Sequence, residues 1–282
     1  FLTHHHSLDQ RMYLRIATEL YLKRLVIGGF ERVYEIGKDF RNEGLSTKHN
    51  PEFTALEAYQ AYADYNDMMA LAEDLVSTAA REVLGTAQIT FQGQDIQLDP
   101  PWQRLTVREA LREYANLDVL AHPDPEDLVE ALRQKGLEGD ASMGWGKLVD
   151  LAISTWVEPR LVQPTFLTDY PLELSPLAKQ KPEDPGLVER FEPFIGGMEL
   201  GNAFTELNDP LDQRDRFEQQ ARARAAGDEE AQPMDLDFLA ALEHGMPPTG
   251  GLGLGIDRLV MLFTDNTSIR EVILFPQLRT IE

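Results

Sequence analysis

The 282-residue sequence contains no cysteine. That excludes a disulfide framework and a thiolate-bound metal centre, and it suits a reducing compartment. Long apolar runs are also missing: no stretch approaches the ~18 consecutive apolar residues of a membrane-spanning helix. The opening residues do not read as a targeting segment, so the cytoplasm is the expected location. Basic residues are scarce, with 26 Lys and Arg against 48 Asp and Glu and a formal charge of -22. Association with phosphate chains draws on Lys and Arg, so a general nucleic-acid coat is excluded. Any RNA contact must come from a local basic patch or from sequence outside this stretch. A cationic substrate, by contrast, suits an acidic pocket. Several catalytic signatures are absent too: no G-x-x-x-x-G-K-[ST] loop, no G-x-G-x-x-G with a following acid, no H-E-x-x-H and no G-x-S-x-G. His4, His5 and His6 lack the partner spacing that zinc would need.

What is present, 43% hydrophobic and 26% charged residues, describes an ordinary globule: one large domain with an insertion. Residues 12–17 read as a short strand. Thr18 then offers an N-cap for a helix through Leu25, closed by Gly28 and Gly29. Glu19 falls in its first turn, where the helix dipole favours a carboxylate. Residues 33–41 alternate as a strand, and 53–62 read as its partner, with a helix as the other option. Gly85 closes an amphipathic helix over 66–85. A β-rich piece at 88–98 and helices at 106–114, 125–135 and 146–158 follow. The 66–186 stretch therefore reads as a mostly helical insertion that packs as a subdomain. Strands resume over 188–207 with a turn at Gly196–Gly197. A polar helix over 210–226, a loop over 225–235 and a helix over 236–244 lead into a glycine-rich stretch.

Three blocks carry chemistry. In "FRNEGLSTKHNPEFTALEAY", strand alternation puts Phe53, Glu57 and Tyr59 on one face. A half-solvated sheet with Glu57 exposed explains that pattern equally well. Arg41 and His49 add two groups able to hold phosphate oxygens. In "GGMELGNAFTELNDP", alternation aligns Asn202, Phe204 and Glu206. A tight hairpin at Gly196–Gly197 makes Glu192 and Glu199 diagonal neighbours, close enough to share a divalent cation. The same register sends Asn202, Phe204 and Glu206 to the opposite face. Both sets line one site only if the strand bulges, and Gly201 is the expected place. In "PPTGGLGLGIDRLVMLF", glycines at 250, 251, 253 and 255 let a strand approach a ligand, and Arg258 opens the next helix.

Taken together, the blocks resemble the motifs of class II aminoacyl-tRNA synthetases. "FRNEG…HNPEFT.LE.Y" looks like motif 2 and "GGLGLGIDRLVML" like motif 3. "ELYLKRL", "GNAFTELNDP" and "HGMPPTGG" are similar to the lysyl-tRNA synthetases in particular. The resemblance spans essentially the whole chain. It implies an α+β fold, an antiparallel sheet flanked by helices, in a homodimeric enzyme. The implied reaction joins lysine to ATP, with magnesium, and passes the lysyl group to tRNA(Lys). In that reading Arg41 clamps the α-phosphate, and Phe53 stacks on adenine with Arg258 opposite. Glu43, His49 and Asn50 hold the base and triphosphate. Glu192 and Glu199 hold magnesium. Glu57 takes the α-amino group of lysine, and Glu19 and Glu206, with Tyr59 nearby, take its side-chain ammonium. Asn202, Phe204 and Gly255 shape the pocket. The sequence departs from the family at His6, commonly Asn, and Thr18, usually Pro. The anticodon-reading β-barrel and motif 1, which builds the dimer interface, are expected before Phe1. Two other readings are a lysine ligase that modifies elongation factor P and a non-catalytic synthetase paralogue.

Overall fold

A computed structural model describes residues 1–42, 44, 46–225 and 234–278. The chain opens with a hairpin of β1 (Leu2–His5) and β2 (Gln10–Tyr13), followed by helix α1 (Glu19–Ile27). The strand expected at 12–17 is displaced toward the N-terminus. Its partner β1 pairs Leu2 with Tyr13 and His5 with Gln10. Helix α1 begins where expected, but the Thr18 side chain makes no capping hydrogen bond. Next come β3 (Arg32–Phe40) and β4 (Glu52–Ala61), paired antiparallel in full register. The strand reading of the second segment therefore holds over the helical one. Helix α2 (Tyr65–Leu84) starts at a capping box between Asp64 and Asp67 and ends on a left-handed Gly85.

The hairpin β5 (Gln88–Phe91) and β6 (Gln94–Gln97) precedes β7 (Gln103–Thr106), α3 (Val107–Ala115), α4 (Pro125–Gln134) and α5 (Trp145–Ala152). A π-helical turn, Ile153–Val157, prolongs α5. Then follow β8 (Thr165–Thr168), β9 (Arg190–Ile195), β10 (Met198–Glu199), β11 (Gly201–Thr205), α6 (Pro210–Ala225), α7 (Leu236–Leu242), β12 (Thr249–Gly255) and α8 (Ile256–Phe263). Most of the loop expected at 225–235 lies outside the described residues. No helix among those described is long and apolar enough to cross a membrane.

One eight-stranded sheet, ordered β3-β4-β12-β11-β9-β8-β7 with β10 beside β9, organises the chain. It is antiparallel except for β7 and β8, which pair in parallel. Those two strands lie inside the 66–186 stretch expected to be a mostly helical insertion. The helices are there, and α3, α4 and α5 share a core with Leu167 and Phe194 of the sheet. However, β7 and β8 belong to the main sheet and α2 packs against it, so the stretch does not stand apart. Neither strand was legible, because each has only four residues and TFLT is buried throughout, without alternation.

The two faces of the sheet do different work. Leu252 and Leu254 of β12, Ala203 of β11 and Phe191 of β9 pack against Met68, Met69, Ala72 and Val76 of α2. The glycines of β12 alternate with those leucines and face the other way. Opposite them, α1 lays Leu22 and Val26 against Tyr59.

The expected bulge is present. Met198 pairs with Ile195 and Glu199 with Phe194, but Ala203 pairs with Phe191, one residue out of step. The extra residue falls around Gly201, where a Cβ would lie 2.1 Å from Gly253 O. Gly201→Ala should therefore destabilise the fold by about 1–3 kcal/mol through forced backbone movement. Thermal melting checks this, and an unchanged midpoint would contradict the close approach.

Candidate functional site

The glycine face of the sheet forms the floor of a cavity of about 300 Å³. Its floor is built of cross-strand rows. In one, Glu57 of β4, Gly253 of β12 and Asn202 of β11 lie side by side. In the next, Tyr59, Gly251 and Phe204 do so. The bulge at Gly201 brings Glu199 to the same cavity as Asn202, Phe204 and Glu206. Glycine at 251 is a steric requirement: a Cβ there would lie 2.0 Å from Glu206 Oε1 and 2.6 Å from Tyr59 Cε1.

One end of the cavity is acidic. Glu19, Glu57 and Glu206 all line it, and Glu57 and Glu206 are buried. The Tyr59 hydroxyl donates to Glu57 Oε2 at 3.0 Å. Burial pushes the Glu57 carboxyl up to about 7, helped by Glu19 nearby. Burial likewise pushes Glu206 up to about 8; Lys23 opposes this, and Glu19 adds to it. The reading of Glu57 as a merely exposed sheet residue is thus excluded.

Lys23 is the residue the sequence reading missed. Its side chain is 1% exposed, with Nζ 2.6 Å from Glu19 Oε1 and in contact with Glu206 Oε2. Burial pulls its pKa down, but Glu19 and Glu206 together outweigh that and hold it above its ordinary value. The available signal was the i, i+4 spacing from Glu19 on the same helix face as Leu22 and Val26.

The other end is lined by Arg41, His49, Asn50, Phe53, Gly255 and Arg258. The Arg41 guanidinium lies 5.1 Å from the centre of the Phe53 ring. Arg258 donates to the carbonyl and the carboxylate of Glu199, at 2.7 and 3.0 Å, and reaches His49 Nε2 at 3.1 Å. The Asn50 amide is taken up by backbone: it donates to Glu52 O and accepts from the Gln277 N–H. Lys48 and Asp257 also line the cavity, unforeseen from sequence. Asp257 accepts from the Thr54 N–H at 2.6 Å, fixing the start of α8 to β4. Glu43 lies outside the described residues.

Glu192 stands apart from the cavity wall. It accepts from Arg190 at 2.5 Å and from the Tyr170 hydroxyl at 2.6 Å. Burial pushes it up to about 7, against the pull of Arg190 and with a contribution from Glu199. Arg190 also donates to Asn202 Oδ1 at 2.7 Å, linking this acid to the cavity floor. Among the described residues, no group of three or more His, Cys, Asp or Glu could hold a metal by itself.

Over residues 1–279 the sequence matches the family described as tRNA synthetases class II (D, K and N). The chain belongs to that family. Among its class II relatives is a lysine–tRNA ligase of Roseiflexus castenholzii, 62% identical over 282 residues, all of this chain and 58% of that protein. A lysine–tRNA ligase of Nostoc punctiforme is 60% identical over 280 residues, 99% of this chain and 50% of that protein. A third, from Pelotomaculum thermopropionicum, is 59% identical over 284 residues, covering 100% of this chain and 56% of the relative. The chain thus spans about half the length of the curated relatives it matches.

The raised carboxyls give this synthetase site a pH signature. Between the ordinary carboxylate value of 4.5 and about 8, the folded, ligand-free chain holds protons that the unfolded chain has released. Its stability should therefore fall as pH rises through that window. An ammonium ligand favours the ionised carboxylates, so stabilisation by such a ligand should grow over the same range. Thermal melts with and without a primary alkylammonium ion, from about pH 6 to about pH 8, test this; a ligand-induced shift that is flat or shrinks would contradict it.

Proposed function

We propose that the protein is a lysine–tRNA ligase that activates lysine with ATP and transfers it to tRNA(Lys). The observation that carries this reading is the acidic trio of buried Glu57 and Glu206 with half-buried Glu19, beside an arginine-lined cleft, in a class II synthetase. Buried carboxylates need a cationic partner, and lysine brings an ammonium at each end. An acidic amino acid would instead need a cation where these acids stand. The names of the relatives point to the same substrate.

In this reading Glu57 accepts from the α-ammonium of lysine, and Glu206 and Glu19 hold its side-chain ammonium, beside Tyr59. Asn202, Phe204 and Gly255 shape the space between. The lysine carboxylate attacks the α-phosphorus of ATP in line. A carboxylate–phosphorus bond forms as the bond to pyrophosphate breaks, giving lysyl-adenylate. Arg41 stabilises charge on the α-phosphate, while Arg258 and His49 steady the phosphates and Phe53 packs on adenine. Glu43 and Asn50 help hold the base and triphosphate in this reading, and Asn50, which bonds backbone on both sides, also fixes the loop. No covalent enzyme intermediate forms, so catalysis rests on positioning and charge stabilisation. In transfer, the terminal ribose hydroxyl of tRNA attacks the lysyl carbonyl and AMP departs.

In this reading Glu192 and Glu199 would hold a magnesium ion; Glu192 also accepts from Arg190 and the Tyr170 hydroxyl, and Glu199 from Arg258. One or two carboxylates together with substrate phosphates is the donor set that magnesium favours. Held there, the ion would neutralise phosphate charge. A homodimer fits the exposed apolar side chains Tyr34 and Ile36 on the edge strand β3, with Met12, Tyr13 and Ile16 beyond them. The cytoplasm, which holds both ATP and tRNA, is the location this function requires.

Lysine-dependent exchange between ATP and pyrophosphate, measured on the complete protein, should be present and specific for lysine. Preference for another amino acid would overturn the assignment. Arg41→Ala should lower exchange by roughly 100-fold or more while melting within a few degrees of the wild type. If exchange survives in that variant, Arg41 is not the α-phosphate clamp.

A further inference from the structure

Lys23 does not line the cavity, yet its ammonium sits between two carboxylates that do. It reaches them from behind, out of α1. Its Nζ lies 5.2 Å from the centre of the Phe204 ring and 6.0 Å from that of Phe238, on helix α7. A methionine would fill the same space among these rings without the cost of desolvating a charge. Packing alone therefore does not call for an ammonium here.

The two carboxylates are divided between Lys23 and the cavity. Glu19 meets Lys23 through Oε1, and Glu206 does so through Oε2. Neither Glu206 oxygen has a hydrogen-bond partner, although Glu206 is only 1% exposed; Oε2 has the ion contact with Lys23, and Oε1 has neither. This is the oxygen that a Cβ on the cavity residue Gly251 would approach to 2.0 Å. A buried acceptor without a donor costs free energy, and this one is directed at the cavity wall.

We propose that Lys23 is a positioning residue for amino-acid specificity. It anchors one oxygen each of Glu19 and Glu206 and leaves Glu206 Oε1 as the acceptor for the side-chain ammonium of the incoming substrate. The proposal also fixes the charge count. Ionised Glu19, Glu57 and Glu206, set against Lys23, leave a deficit that a diamino acid fills with its two ammonium groups. A monoamino acid leaves one buried carboxylate unmatched. Lys23 stays in place when substrate binds; it is neither a competitor nor a stand-in for the ligand. This inference rests on the assignment of the cavity to lysine.

The test is Lys23→Met in the complete protein, read by ATP–pyrophosphate exchange. Wild-type exchange is measured first, because its absence would defeat the lysine assignment itself. Given wild-type exchange, the variant should raise the KM for lysine roughly 10–100-fold, the range seen when partners behind a ligand are removed. The KM for ATP and kcat should stay within about threefold. A lysine KM that is unchanged would make Lys23 merely structural, and one that falls would make it a competitor; either result overturns the proposal. Loss of ATP binding would mark a folding defect, and Lys23→Gln is then read in the same way. Should both variants fail to fold, a crystal structure of the wild type with lysine decides. Lys23 Nζ still bonded to Glu19 and Glu206, with the substrate ammonium on Glu206 Oε1, supports the proposal. Displacement of Lys23 from either carboxylate overturns it.

Discussion

Two carboxylates, Glu57 and Glu206, are taken out of water on one face of a sheet, with Glu19 half-buried beside them, and the ammonium of Lys23 meets Glu19 and Glu206. Desolvation makes that arrangement costly until more positive charge arrives. Much of the surrounding structure can be understood as what holds it. Helix α1 supplies Glu19 and Lys23 one turn apart, and strand β4 supplies Glu57 with the Tyr59 hydroxyl. Glu206 follows directly on strand β11. The protons that Glu57 and Glu206 retain near neutrality are the measure of the unmet charge. In the proposed function, a cationic amino acid replaces them.

The sheet makes room for that ligand through two glycine-dependent features. Gly251 brings Tyr59, Phe204 and Glu206 closer than any side chain at 251 would allow. The bulge at Gly201 turns the Glu199 end of the hairpin toward the same cavity as Asn202 and Glu206. Arg190 then ties the two regions together, bonding Asn202 on the floor and Glu192 beside the phosphate end. In the proposed function, amino-acid recognition and phosphate handling would thus share one set of strands and one guanidinium.

Much of this was legible in the sequence because strand alternation is a strict rule. Phe53, Glu57 and Tyr59 had to share a face, as did Asn202, Phe204 and Glu206, and every described residue of both sets lines the cavity. The bulge followed from requiring two faces of one strand to serve one site. Other features carried no such periodic signal. Strands β7 and β8 are too short and, in β8, too uniformly buried to alternate. Lys23 sits in the apolar stripe of α1, where a lysine reads as a solvated residue until the position of Glu206 in space is known. Asn50 likewise owes its place to Gln277, distant in sequence, and Arg190 bonds Glu192 on its own strand and Asn202 across the bulged hairpin, pairings that no periodic pattern marks. Family membership supplied what spacing could not, the assignment of each polar group to a part of the substrate.

The central claim is that desolvated carboxylates recognise an ammonium and not an alkyl chain. Calorimetric titration of the complete protein with L-lysine and with L-norleucine, which keeps the chain length but lacks the ammonium, tests it most directly. A site that leaves buried polar groups unpaired rejects such an analogue by roughly 10⁴-fold. Lysine should bind with release of protons near pH 7, and norleucine, which brings an α-ammonium to Glu57 but none to Glu206, should bind at least that much more weakly and release fewer protons. Comparable affinities, or lysine binding that moves no protons, would contradict the account.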